Sequence, residues 1–167
     1  FSLGFYTSTP DAGFATYQNK GNFNGSLHLS NLGLVGNGTQ KYMTTTLQSD
    51  SILYFPDQTN LLAKKVSSKE QKTPIEFPQF ETDSSLVEWK PYTDTMLLLS
   101  HKRHPFKMYN NSTEMFGLLI LTNKGLTGNG YLDFDEAKIA SNAMVFKSTA
   151  MNADTASMEI KSLGDKL

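Results

Sequence analysis

The sequence predicts an all-β protein: an elongated stack of two related β units, built as a jellyroll, a sandwich or a coarse β-solenoid, with almost no helix. Three observations carry this. A glycine-rich decapeptide occurs twice, as Leu-Ser-Asn-Leu-Gly-Leu-Val-Gly-Asn-Gly at 29–38 and Leu-Thr-Asn-Lys-Gly-Leu-Thr-Gly-Asn-Gly at 121–130. The segments around it alternate apolar and polar residues with the period of a half-buried strand. The two copies also stay in register beyond the glycines. Gly33 and Gly125 stand 92 positions apart, and so do Phe14 and Phe106, Tyr17 and Tyr109, Gly25 and Gly117, and Ser49 and Ser141. A period this long exceeds that of the common solenoids, so each unit holds several strands.

The elements follow in chain order. Residues 1–20 read as strand, turn, strand, with Pro10-Asp11-Ala12-Gly13 as the turn signal. Residues 23–30 alternate around Leu27 and Leu29. Gly33, Gly36 and Gly38 are read as structural turn positions, with Asn37-Gly38 as a hairpin pair; Gly125, Gly128 and Gly130 take the same role in the second copy. Thr39–Leu47 is threonine-rich and suits a pleated surface. Ser51–Phe55 is a short strand stopped by Pro56-Asp57, and Leu61–Val66 is another. Residues 67–74 are polar loop. Pro78 makes 75–80 an edge or extended segment. Leu86–Tyr92 leads into a strand at Thr95–Ser100, and Lys102-Arg103-His104-Pro105 is a basic turn. Met115–Thr122, Tyr131–Phe134, Ala137–Lys147 and Thr155–Lys161 complete the strands. Residues 135–140 carry helix formers, but their counterparts in the first copy include three consecutive threonines, so strand is expected there. The expected division is 1–92, a first unit with its connecting segment, and 93–167, a second unit truncated at its C-terminal end.

Composition narrows the function classes. Fifteen basic and sixteen acidic residues give a net charge of −1, which makes no electrostatic case for nucleic acid. Cysteine is absent, which removes disulfides, thiolate metal sites and a cysteine nucleophile. No apolar run has the length of a membrane-spanning helix. The chain starts at Phe1 without an initiating methionine and reads as a piece of a longer protein.

The chemistry-bearing residues form no recognisable constellation. The glycine corners lack the Lys-Ser/Thr of a phosphate loop and have no following helix. Asp133, Asp135 and Glu136 read as a solvated acidic face, since calcium needs roughly six or more oxygens. His28, His101 and His104 are too scattered for a metal, and no Ser/His/Asp set has a familiar context. No catalytic residue, metal or cofactor is assigned, and the chain is read as a non-enzyme. Trp89 and Tyr92, with Lys90 between them, have the chemistry of a sugar-stacking platform, but their place just before the second unit favours packing at the junction. Lys102, Arg103, His104 and Lys107 read as a solvated basic turn.

The Phe-x-x-Tyr element at Phe106–Tyr109, the Gly-Leu-x-Gly-Asn-Gly element at Gly125–Gly130 and the Ala-x-x-x-Ser-x-x-x-x-Phe element at Ala137–Phe146 resemble those of large repeat-containing envelope proteins of Bacteroidota. The tripeptides beginning at Asp50, Asp94 and Asp154 are similar to the Asp-Ser/Thr-apolar O-glycosylation sites of exported proteins in that phylum, which would place glycans on Ser51, Thr95 and Thr155. Asn24, Asn37 and Asn111 begin Asn-x-Ser/Thr triplets, which matter only in a host that uses them. The resemblance implies export to the periplasm, outer membrane or cell surface, with neighbouring repeat units or other envelope proteins as partners. A looser likeness to the β-jellyroll proteins that carry lipopolysaccharide implies a continuous apolar groove for lipid, although inward residues such as Leu119, Leu121, Ile139 and Phe146 could equally fill a closed core. The leading expectation is a non-catalytic structural or binding segment; a periplasmic lipid-handling groove and a carbohydrate-binding module are the alternatives.

Overall fold

A computed structural model describes residues 3–9, 12–31, 33–72, 76–135 and 137–160. Phe1, the Pro10-Asp11 turn, Ile75, Glu136 and Lys161 lie outside the described residues. The chain is all-β, and its strands are β1 (Leu3–Tyr6), β2 (Phe14–Thr16), β3 (Gly21–Ser30), β4 (Gly33–Tyr42), β5 (Thr45–Tyr54), β6 (Thr59–Ala63), β7 (Lys65–Ser68), β8 (Phe80–Thr82), β9 (Ser85–Lys90), β10 (Thr95–Ser100), β11 (Phe106–Met108), β12 (Thr113–Thr122), β13 (Gly125–Asp133), β14 (Ala137–Phe146), β15 (Met151–Asp154) and β16 (Ser157–Ile160). The one helical element among the described residues is a 3-10 turn at Pro91–Thr93.

Two long strands organise the sheet. One edge of β5 is shared: β7 pairs with its first half and β6 with its last residues. One edge of β12 is shared in the same way by β11 and β10. β9 joins β6 to β10, and β8 joins β7 to β11. The path β5-β6-β9-β10-β12-β11-β8-β7 therefore returns to β5, and eight antiparallel strands close a barrel. Its interior is filled by Leu47, Ile52, Val66, Phe77, Phe80, Trp89, Met96, Leu98, Phe106, Met115, Leu119 and Leu121, all fully buried. The remaining strands extend the sheet beyond β5 and β12.

The two long strands depart from regular pairing by different means: β12 carries Gly117, whereas β5 has no glycine and carries a bulge opposite β4. Gly25 on β3 lies opposite Gly38 on β4, with φ of 145° and 149°. A Cβ on Gly25 would come within 2.2 Å of the Asn37 carbonyl oxygen, and one on Gly38 equally close to that of Asn24. Gly117 and Gly130 repeat the arrangement on β12 and β13. Next to this crossing, two residues of β5, Asp50 and Ser51, oppose the single Asn37 of β4, a β-bulge that shifts the inward face from Leu47 and Ser49 to Ile52 and Tyr54. Ser49 Oγ accepts the Ser51 N–H at 3.2 Å and donates to the Leu62 carbonyl at 2.8 Å.

The hairpin expected at Asn37-Gly38 is thus replaced by a bend inside continuous strands. Gly36 and Gly38 sit within β4, Gly128 and Gly130 within β13, while Gly33 and Gly125 open those strands. Thr39–Leu47 is not one strand either: it spans the tight connection between β4 and β5 at Met43-Thr44. Residues 137–146 are strand, as their threonine-rich counterparts suggested.

The register seen in the sequence extends to coordinates. β2, β3, β4, β5 and β7 begin 92 residues before β11, β12, β13, β14 and β16. β14 pairs with both β15 and β16, as β5 pairs with β6 and β7. The bulge returns at Asn142 and Ala143, where Ser141 Oγ accepts the Ala143 N–H and donates to the Asp154 carbonyl.

Candidate functional site

Two equivalent pockets, one filled and one open, are the features best placed for recognition. Each is built on an unusual loop. Tyr17, Gln18 and Asn19 all have φ between 50° and 67°, as do Tyr109, Asn110 and Asn111. Three successive non-glycine residues in the left-handed region are costly, roughly 1–2 kcal/mol each. A tyrosine clamp accompanies each run. Tyr17 Oη contacts the carbonyls of Phe55 and Gln58 at 3.0 and 2.5 Å, and Tyr109 Oη those of Lys147 and Ala150 at 3.0 and 2.9 Å.

The filled pocket holds Trp89. Its ring meets Tyr42 at a centroid distance of 5.0 Å and Tyr17 edge-on at 5.3 Å. Gly21 leaves the room: a Cβ there would lie 2.4 Å from Cη2 of the indole. Among the described residues the indole Nε1 has no hydrogen-bond partner, so shape and dispersion hold the ring. Trp89 is fully buried whereas Tyr92 is half exposed and lies edge-on to Tyr17 at 6.0 Å. The two do not form an open stacking platform, because the indole offers no face to a sugar.

Asp94 closes this junction. It follows the 3-10 turn with φ of 48°. Its carboxylate accepts from Lys20 Nζ at 2.8 Å and Tyr42 Oη at 3.4 Å, and from Asn123 Nδ2 at 3.4 Å. Residues from both sequence copies therefore meet on one side chain. Burial, and then the Asp94 charge, push the Tyr42 phenol well above its ordinary range, and burial pushes that of Tyr109 up to about 12.

The open pocket lies 92 residues on. Tyr109, Thr113, Leu132, Phe134, Ala150 and Met151 line a cavity of about 610 Å³ where Tyr17, Gly21, Gln40, Tyr42, Gln58 and Thr59 stand in the first copy. It is the more apolar of the two, since leucine, phenylalanine and methionine replace glutamine, tyrosine and threonine. Sequence reasoning marked Tyr17, Tyr109 and Trp89 but did not join them; the 92-residue offset is the signal that would have.

The other singled-out residues lie apart. Ser51 is exposed in the bulge, Thr155 is exposed, and Thr95 is half-buried with its hydroxyl donated to the Thr93 carbonyl. Asp133 pairs with Lys138 at 3.5 Å, which neutralises part of the acidic patch. His101 and His104 stack across a turn at 6.4 Å, and among the described residues no group of three metal-ligating side chains forms. Leu119 and Leu121 are fully buried in the barrel, Phe146 is buried, and Ile139 is half-buried. On the outer face, Leu53, Leu86, Leu97, Leu99 and Leu118 line a shallow groove of about 540 Å³. No helix among the described residues is long and apolar enough to cross a membrane. Comparison with protein-family models, with curated proteins and with solved structures returns no match.

Proposed function

We propose that this chain is a non-catalytic structural or binding repeat segment of a large bacterial cell-envelope or surface protein, with neighbouring units of the same kind as its partners. One observation carries the reading. Strands, bulge, glycine crossing and tyrosine clamp all recur at a 92-residue offset, and the closed barrel draws strands from both copies. Units that share strands in this way bury their ends only against neighbours. Exposed Ser51 and Thr155 suit the glycan sites that the envelope resemblance implies.

Antibodies raised against the chain and applied to fractionated cells of its source test this. Signal in the envelope fraction, with glycan mass on peptides containing Ser51 or Thr155, is expected. Signal confined to the cytosol, or turnover of a substrate mapped to these residues, overturns it.

The leucine-lined outer groove favours one second reading, a periplasmic lipid-handling surface. The barrel interior is filled by side chains, so lipid would meet the outside. Photo-crosslinkers at Leu97 and Leu99 should then capture acyl chains, and one at buried Leu121 should not. Capture at neither outer position removes the idea. The carbohydrate reading has no comparable support, because Trp89 is enclosed.

A further inference from the structure

The two pockets differ in what covers them. In the closed barrel, β9 adds to the edge of β6, and Trp89, paired with Thr59, drops into the Tyr17 pocket. The equivalent of β6 is β15, and the equivalent of Thr59 is Met151. Among the described residues β15 has β14 on one edge and no strand on the other. Positions that the barrel buries are correspondingly uncovered here: Val66 is 0% exposed while its counterpart Met158 is 65% exposed. The opposite end shows the same contrast, with Leu29 46% exposed and Leu121 0%.

We propose that the free edge of β15 and the adjoining open pocket form a strand-addition site. Its occupant is an extended segment that pairs antiparallel with Met151–Asp154 and seats one apolar side chain, smaller than indole, opposite Met151. The size limit comes from Thr113. Its counterpart Gly21 has no Cβ, and a Cβ there would stand 2.4 Å from the Trp89 ring. Thr113 carries that atom and two more, so an indole in the same pose collides with it. The polarity follows from Leu132 and Met151, which stand where Gln40 and Thr59 stand around Trp89. A phenylalanine side chain meets both conditions. Main-chain pairing along the edge supplies affinity and the pocket supplies selection, as in other strand-addition modes.

This rests on the repeat-segment reading only in naming the donor as a neighbouring unit; the site itself follows from the geometry. The test uses the whole chain and three peptides, Ser-Leu-Val-Glu-X-Lys-Pro-Tyr-Thr-Asp, patterned on residues 85–94 with X as Phe, Trp or Asp. Methyl-13C methionine spectra locate binding. The Phe peptide should shift Met151 and Met158 and leave the enclosed Met96 and Met108 unmoved. It should bind about tenfold or more tighter than the Trp peptide, a difference of about 1.4 kcal/mol or more, since the larger ring overpacks the pocket against Thr113. The Asp peptide should leave the spectrum unchanged. Thr113→Gly should move the preference towards Trp. Absence of shifts at millimolar Phe peptide, equal binding of all three, or an unchanged preference in a folded Thr113→Gly chain overturns the proposal. The wild-type comparison decides alone should that variant not fold. A failed peptide experiment leaves the fractionation result untouched, so the two readings fall separately.

Discussion

Gly25 and Gly38 face each other where two strands press close together, and neither position tolerates a side chain. An added Cβ at Gly38 meets main chain, not a rotatable group. Gly36, two residues away, would meet the rings of Tyr54 and Phe23 and the side chain of Leu27 at 3.0–3.2 Å, contacts that a small shift relieves. Gly38→Ala should therefore destabilise the protein by about 3 kcal/mol or more and Gly36→Ala by about 1 kcal/mol. Denaturant midpoints of the two variants check the ranking; equal losses would mean that the crossing is not the tight point.

The tyrosines give a second, independent reading. Burial raises the phenols of Tyr17, Tyr42, Tyr54 and Tyr109, the last to about 12. A phenol whose folded value lies above its unfolded value of 10.0 keeps its proton longer in the native state. Between those values the unfolded chain binds fewer protons, so stability falls as pH rises. Stability should be level up to about pH 10 and decline from there through about 12. Tyr109→Phe should shallow that decline, read by following unfolding against pH.

Trp89 shows how one strand unites distant parts of the chain. β9 sits between β6 and β10, and its indole fills a pocket built from β3, β4 and the Tyr17 loop. Trp89→Ala should cost about 3–5 kcal/mol in a denaturation experiment, the range for truncating a buried large aromatic. A loss below about 1 kcal/mol would show that the pocket collapses freely. The strand at Thr95–Ser100 was legible to the residue, because a strand-sized apolar run, Met96-Leu97-Leu98-Leu99, stands between the Pro91-Tyr92 stretch and the basic turn at Lys102-Arg103-His104-Pro105. The bend in β4 was not. Asn37-Gly38 has the chemistry of a hairpin, and only pairing with β3 and β5 shows that the same freedom serves a crossing. Barrel closure was also hidden. β7, β8 and β11 are only three or four residues long, too short to show a period, and closure depends on pairs of strands that do not follow one another in the chain, β5 with β7 and β8 with β11. The Trp89 pocket was illegible for a related reason: its members are separated by up to about seventy residues, and no local pattern links them.

The closed barrel draws strands from both sides of the 92-residue register, and the strands described before and after it match several of its own. β14, β15 and β16 reproduce β5, β6 and β7, β2 and β3 reproduce β11 and β12, and β1 lies on β3 where β10 lies on β12, one residue out of that register. One more period should then generate one more closed barrel. A lengthened chain in which residues 45–136, one 92-residue period, occur twice in tandem tests this. The second Trp89 would face Thr113 of the first copy, so that threonine must be changed to glycine to give the indole the room that Gly21 provides. In a stack, each added unit contributes its own stability and a shared interface, so the longer chain should unfold in one transition at a midpoint no lower than the parent. Solution scattering should show a particle lengthened along one axis, and hydrogen exchange should protect the added β8 and β9 as strongly as the originals. If the inserted residues exchange freely while the parent barrel stays protected, sequence register here does not translate into assembly, and the stacked arrangement of units falls with it.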